Sequence, residues 1–362
     1  MDSLAQNGSS HEQVKNILLD NRVVTFEFDL LDKNEHSIGT VTASGSIDCD
    51  TSAQIVRGAR FTIKESKDIN YIDERLRPKM KVRHGDKWFV FPLGVYLLSS
   101  PSIQGRIGAY TKDTEAYDKS AILAEDKFTE RTLFQAGTGY VDNVISILNS
   151  AGITNVNITP NTSELSTELE FEIGTSKLEA INKLLKSINY NYLYFDNNGT
   201  ARSSPYILPL LRNVDETYQT DEKSIILPGS EKSQDLFNCP NVFVRYLENP
   251  DAGGTLISKV VNDNPSDKLS TVSRGRNIVD IESVSDIADQ ATLDQYVLRV
   301  MAEKQVYETI SFETALMPHH GYMDCLGINI DSLNFRAKCI ETSWSMELKV
   351  GGKMRHTCRK VV

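Results

Sequence analysis

Apolar and polar positions alternate with a period of two along much of this chain. Val24, Phe26, Phe28 and Leu30 are interleaved with Thr25, Glu27 and Asp29, which predicts a strand with one buried and one wet face. Residues 40–47 and 60–64 continue the pattern, with Phe61 and Ile63 directed inward. Residues 80–83 and 88–91 flank His84-Gly85-Asp86 and read as a hairpin. The second arm meets a break at Pro92-Leu93-Gly94, and further strands are predicted over 95–98 and about 107–117. Short apolar runs, breakers between them and long arms predict a first antiparallel β-barrel over residues 21–118.

The pattern then changes period. Val141, Val144, Ile145 and Leu148 recur at helical spacing and stop near Gly152. In residues 168–173, Leu169, Phe171 and Ile173 alternate with Glu168, Glu170 and Glu172. A clear amphipathic helix follows: Ser176 as N-cap, Glu179 three residues later, then Leu178, Ile181, Leu184, Leu185 and Ile188 on one face. Residues 190–195 and 200–203 read as a hairpin about Asn197-Asn198-Gly199. A second β-rich region starts near Ser224, with strands expected at 242–246 and 256–262 about a turn at 250–254. An excursion through Ser273-Arg274-Gly275-Arg276 leads to a helix at about 286–304, lined by Leu293, Tyr296, Val297, Val300 and Met301. Strands return at 307–314 and 335–348, and Gly351-Gly352 turns the chain into a final strand over 354–362.

With PLGVYLLSS before the long arm and AYDK after it, the stretch over residues 88–123 resembles the baseplate-hub or tail-associated proteins of bacteriophage tails, prophages and contractile injection systems. GTSKLEAINKLLKSINYNYLYFD, DLFNCPNVFV, RGRNIVDIESVSDIADQATLDQYV and MELKVGGKMRH carry the resemblance further, as scattered blocks over most of 23–362. The resemblance implies a mainly β fold with α+β insertions: two antiparallel, tail-tube-like β-barrels plus an α/β insertion domain. The expected division is an N-terminal arm at 1–20, a first barrel at 21–118, an α/β insertion at 119–223, a second barrel from 224–262 and 305–362, and a helical excursion at 263–304 packing with the insertion. It further implies a structural hub: a homotrimeric ring offering six barrel positions, one face toward the distal tail or tail-tube protein and the other toward a spike or fibre. DNA and the tape-measure protein would pass through its bore without specific binding. The expected place is the tail tip of a virion, made in the bacterial host cytoplasm. The chain stops at Val362, where some larger tail-tip proteins append a cell-wall hydrolase or receptor-binding module.

Composition fits that picture. The 362 residues exceed one comfortable core, and 40% hydrophobic with 24% charged residues is ordinary for a globular chain. The formal net charge of −10 disfavours gripping nucleic acid, because phosphate neutralisation supplies most of that affinity. No apolar run approaches the roughly 20 residues of a membrane helix. The polar N-terminus lacks a signal-peptide pattern and reads as a mobile arm or an ordered partner-contact tail. Cys49, Cys239, Cys325, Cys339 and Cys358 are odd in number and widely spaced, which argues against a disulfide framework or zinc ribbon.

Candidate chemistry is thin, and no catalytic, cofactor-binding or metal residue is assigned. Gly174-Thr175-Ser176-Lys177 lacks the glycine spacing of a phosphate loop and reads as a helix cap. His319 and His320 lie near Asp324 and Cys325, but adjacent residues on a loop point apart and His84 and His356 are distant in sequence. A polar loop over 318–324 is therefore expected rather than a zinc site. The Glu168, Glu170, Glu172 row shares one environment, unlike the paired carboxylates of glycoside hydrolysis, and reads as a solvated face. No G-x-S-x-G elbow is present, and Cys49 and Cys239 lack a nucleophile context. Lys349, Lys353, Arg355, His356, Arg359 and Lys360 form a basic cluster expected on a solvated hairpin or against an acidic neighbour; Arg274 and Arg276 are read similarly, in a loop. Trp88 and Trp344 both sit in alternating strands and are expected in the core, which weakens the alternative of a carbohydrate-binding module. The other alternative is a peptidoglycan hydrolase.

Overall fold

The computed structural model describes residues 1–20, 22–64, 69–106, 109–249, 254–284 and 287–361. The chain is mainly β. Burial follows the alternation seen in the sequence: inward and outward positions trade places along Arg57–Ile63, Arg75–His84 and Glu308–Ala315. The expected hairpin of Arg75–His84 with Lys87–Pro92 is present, as is that of Phe335–Leu348 with Lys353–Lys360. The long arm near residue 107 is the second strand of another hairpin, Ser102–Arg106 against Ala109–Tyr117; its first two residues, 107 and 108, lie outside the described ones.

The two β-rich halves do not stand apart. Ala43–Asp50 pairs antiparallel with Phe335–Leu348, from Ser343 opposite Asp50 to Leu348 opposite Gly45. That seam fuses both halves into one 15-stranded sheet, which runs from Ile226–Gln234 at one end to Ser37–Val41 at the other. Among the described residues no pairing closes either half, so the expectation of two barrels is corrected to one open, fused sheet. The fusion has a packing reason. Phe28, Phe61 and Tyr96 from the first half and Phe312, Trp344 and Met346 from the second belong to one buried apolar cluster, and each such side chain stabilises by about 1.5–3 kcal/mol when fully buried. On its other side the seam strand Ala43–Asp50 lies tight against Arg57–Ile63, where a Cβ on Gly45 would lie 1.9 Å from the Arg60 carbonyl oxygen.

Two smaller units flank the sheet. Between Ser120 and Ser203, helices Ser120–Glu125, Tyr140–Ser150 and Lys177–Ser187 pack with short strands around their own core, including Val144, Leu148, Phe171, Ile181 and Leu184. The last helix starts as its sequence demands: Ser176 Oγ accepts from the Glu179 amide at 3.1 Å. The other unit corrects an expectation. Val242–Asn249 and Gly254–Val261, assigned above to a second barrel, pair instead with Val279–Ser283 as a separate three-stranded sheet. Helix Gln290–Lys304 covers one face through Leu293, Val297 and Val300 against Phe243. The turn expected at 250–254 and the start of that helix at 286 fall largely outside the described residues. The helix also touches the insertion, since Arg299 Nη1 donates to the Tyr190 carbonyl at 2.7 Å.

The N-terminal arm is folded rather than mobile. Helix His11–Leu19 opens on a full capping box between Ser10 and Gln13, and Leu4, Val14 and Leu18 join the main core. No helix among the described residues is long and apolar enough to cross a membrane. All five cysteines are free and buried.

Candidate functional site: a buried polar junction

The loop at 318–324, between Glu308–Ala315 and Cys325–Ile330, is where the parts of the molecule meet. Its carbonyls are claimed by every neighbour. The Asp2 amide donates to the His319 carbonyl at 2.9 Å, and Trp344 Nε1 donates to that of Gly321 at 2.9 Å. From the insertion, Asn197 Nδ2 donates to the His320 carbonyl at 3.2 Å and also reaches that of Pro318. From the first half, Arg57 donates to Asn197 Oδ1 at 2.6 Å and lies 5.3 Å over the Trp344 ring. Tyr322 stacks on Tyr194 with ring centroids 4.6 Å apart. The loop is polar as expected, but it is packed inside the molecule.

His319 and His320 do point apart, into two different clusters. His320 Nδ1 lies 2.6 Å from Glu341 Oε2, and the other oxygen of Glu341 lies 2.6 Å from His356 Nδ1. The outer ring nitrogens are also engaged, His320 Nε2 with the Tyr218 hydroxyl at 2.6 Å and His356 Nε2 with Thr314 Oγ1 at 2.9 Å. His356, remote in sequence, is thus a direct partner in space. Burial would discharge His320, but the Glu341 carboxylate raises its pKa above the ordinary value; His356, with burial dominant, is lowered. Burial would raise Glu341, yet the two imidazoles hold it below the ordinary carboxylate range. Asp324 is held down likewise by the Met1 amino group, 2.7 Å away, and by His320.

Thr314, His356 and Glu341 repeat the order of nucleophile, base and orienting carboxylate. All three are buried, and the Thr314 hydroxyl also donates to the Ala315 carbonyl at 2.8 Å. Every hydrogen-bonding atom of the three side chains is partnered, which rigidifies a packed core.

The second cluster is less complete. Glu216, the first residue of strand Glu216–Gln219, lies with its Oε1 2.6 Å from Lys15 Nζ and accepts the Thr217 amide at 2.8 Å. Its Oε2 stands 3.5 Å from His319 Nε2 without hydrogen-bond geometry, and neither atom has another partner. Burial would raise Glu216, but His319, Lys15 and the amide bring it down to about 2. The His11 ring lies edge-on to that of His319 at 5.9 Å. An unpartnered buried polar group costs about 1–3 kcal/mol.

The remaining candidates resolve simply. Glu170 forms an exposed pair with Arg131 at 3.1 Å while Leu169 and Phe171 are buried, the solvated face expected. In the basic cluster, Lys353 pairs with Glu313, Lys360 with Glu308, and Arg359 donates to the Glu303 carbonyl, so these charges are largely spent inside the chain. Arg274 donates to the carbonyls of Cys239 and Phe237. Trp344 is buried as expected, whereas Trp88 is 38% exposed beneath Lys81 and Arg83, a correction. An apolar groove of about 210 Å³ is lined by Leu208, Leu210, Leu298, Met301 and Ile340 among others, with no carboxylate or aromatic side chain in its wall among the described residues.

No family model matches this sequence, and no curated protein matches it. Its likeness is in three dimensions. A tail protein from Neisseria meningitidis MC58 superposes with a TM-score of 0.65 at 11% identity, over 93% of this chain and 97% of that one. The chain has a phage tail-protein fold. The 43 kDa tail protein of prophage MuSo2 from Shewanella oneidensis gives 0.61 at 13% identity over 92% and 98%. Prophage tail protein gp18 from Listeria monocytogenes EGD-e gives 0.56 at 11% over 92% and 94%. In this tail-protein fold, the buried junction is the point at which arm, insertion and both β halves are locked together.

Proposed function

We propose that this chain is a structural hub at the tip of a phage or prophage tail. The reading rests on one observation: the likeness runs over 92–93% of this chain and 94–98% of each of three tail proteins, so it extends to the whole arrangement of units. In this reading three copies close into a ring, since heterologous interfaces that close give defined assemblies. The ring joins the tail tube or distal tail ring to a spike or fibre, and DNA or the tape-measure protein passes through its bore. The two groups of strands stand for the two barrel-like positions each subunit contributes. The parts are an arm at 1–20, a first β domain at 21–118, an α/β insertion at 119–223 and a second β domain from 224, with residues 242–261 joining the 263–304 excursion. The role is non-enzymatic: the triad-like residues are sealed in the core, and the net charge of −10 suits a wall past which DNA slides.

The test is the mass of the untagged chain by light scattering over a concentration and salt series, followed by imaging. A salt-sensitive trimer with a central channel supports the hub. A monomer that clears peptidoglycan replaces it with the hydrolase, and a monomer that binds whole cell walls without cleaving them replaces it with a surface-recognition module.

A further inference from the structure

We propose that His11, Glu216 and His319 form a site for one divalent transition metal of the zinc type, pinning the N-terminal helix to the second β half. One donor atom from each of the three lies within 4.8 Å of the others. They come from three separate elements: the first residue of helix His11–Leu19, the first residue of strand Glu216–Gln219, and the loop at 318–324.

The site stands out by what its atoms lack. His319 and Glu216 side chains are each 1% exposed, yet both ring nitrogens of His319 and Oε2 of Glu216 have no hydrogen-bond partner. Buried polar atoms in folded proteins are almost always satisfied, and here three that are not lie on two side chains that meet. A few ångströms away, the His320, Glu341 and His356 cluster has the same residue types with every such atom engaged, so a metal there would have to displace two or three existing hydrogen bonds, depending on which ring nitrogens it took. The two neighbouring clusters are chemically alike, and only one has free donors.

Donor set and spacing agree. Two imidazoles and a carboxylate suit zinc, or cobalt in its place, rather than calcium or magnesium, which take oxygen ligands. Donors about 2.0–2.1 Å from a tetrahedral zinc sit roughly 3.3–3.5 Å from one another, and Glu216 Oε2 is 3.5 Å from His319 Nε2. Lys15 and the Thr217 amide hold the other oxygen, which orients the carboxylate for one-point ligation. His11 is half-buried at the edge and closes the triangle by swinging inward. Its Nδ1 now accepts the Leu4 amide at 3.2 Å, the single hydrogen bond that ligation displaces or weakens. The fourth position falls to water.

The experiment uses the untagged full chain, stripped with chelator and titrated with Co²⁺, followed by Zn²⁺ competition. One equivalent of Co²⁺ should give the visible absorption of a four-coordinate site, Zn²⁺ should abolish it, and Zn²⁺ should raise the melting temperature. His11→Gln, at a half-buried position, should fold normally and lose both the absorption and the Zn²⁺-dependent shift; His319→Gln should do the same if it folds. A folded wild-type chain without a saturable cobalt spectrum overturns the proposal. So does a His11→Gln spectrum identical to wild type, which places the metal elsewhere.

Discussion

Arg57 Nη1 donates to Asn197 Oδ1 at 2.6 Å, joining residues 140 positions apart at the centre of the molecule. Arg57 is fully buried, and the Asn197 amide group spends its other end on the His320 and Pro318 carbonyls. Asn197→Ala therefore removes three buried hydrogen bonds at once, from Arg57 Nη1 and to the Pro318 and His320 carbonyls, while Arg57 Nη2 still reaches the His320 carbonyl at 3.4 Å. Hydrogen bonds to charged groups contribute about 1.5–3 kcal/mol, so the variant should lose about 2–3 kcal/mol in denaturant unfolding. A loss below about 0.5 kcal/mol would mean that the insertion is held by its apolar contacts alone.

The His320, Glu341 and His356 network gives stability a pH signature. His320 has a raised pKa, so its contribution is complete below its ordinary value of 6.5 and is lost as pH rises through the raised one. Glu341 has a depressed pKa, so its contribution is complete above 4.5 and is lost as pH falls through the depressed one. His356, also depressed, contributes above 6.5 and opposes folding as acid charges it. The charged pair of His320 and Glu341 is thus worth most between pH 4.5 and 6.5. Glu341→Gln should cost about 3–5 kcal/mol, as expected when a buried pair loses one partner. The gap between wild type and variant should narrow above pH 6.5 in unfolding midpoints taken from pH 4 to 9. A gap independent of pH would assign Glu341 a purely steric role.

The two tryptophans should behave oppositely. Trp344 fills the seam core and donates to the Gly321 carbonyl, so Trp344→Ala should cost about 3–5 kcal/mol. Trp88 lies on the surface under two cationic side chains, and Trp88→Ala should cost less than about 1 kcal/mol. Thermal unfolding of both variants checks this, and equal losses would contradict the placement of Trp88.

Gly45→Ala should cost about 1–3 kcal/mol, because its methyl group would drive the Arg57–Ile63 strand away from the seam. Gly58, on that facing strand, is the control: a Cβ there approaches nothing closer than 3.9 Å. Urea midpoints of Gly45→Ala and Gly58→Ala should differ clearly, and coinciding midpoints would show that the seam relaxes freely.

Much of the fold was legible because it is local. The Arg75–His84 hairpin, the Ser176 cap and the final hairpin follow from alternation, capping residues and glycine turns, each set within a few residues. What periodicity does not carry is the identity of the opposite surface. It marks residues 43–50 and 335–348 as half-buried strands without indicating that they pair with each other. The same gap puts Val242–Asn249 and Gly254–Val261 in the wrong sheet and Trp88 in the core. Whether the arm is mobile or ordered stays open in the sequence because its polar composition hides a short capped segment that buries Leu4, Val14 and Leu18. In the junction, the adjacency of His319 and His320 was visible, but their partners Glu216, Glu341 and His356 are brought in by tertiary pairing. The signal that existed was weak: a Pro-His-His loop beside a strand carrying an inward-facing glutamate.

The seam between Ala43–Asp50 and Phe335–Leu348 also gives the molecule a grain. Its hydrogen bonds lie across the strands, so a pull along the strand axis strains all six residue pairs at once, whereas a pull at right angles opens them one after another. The molecule is therefore tough in shear along this seam and weak to peeling. It bears load in one direction and comes apart in the other.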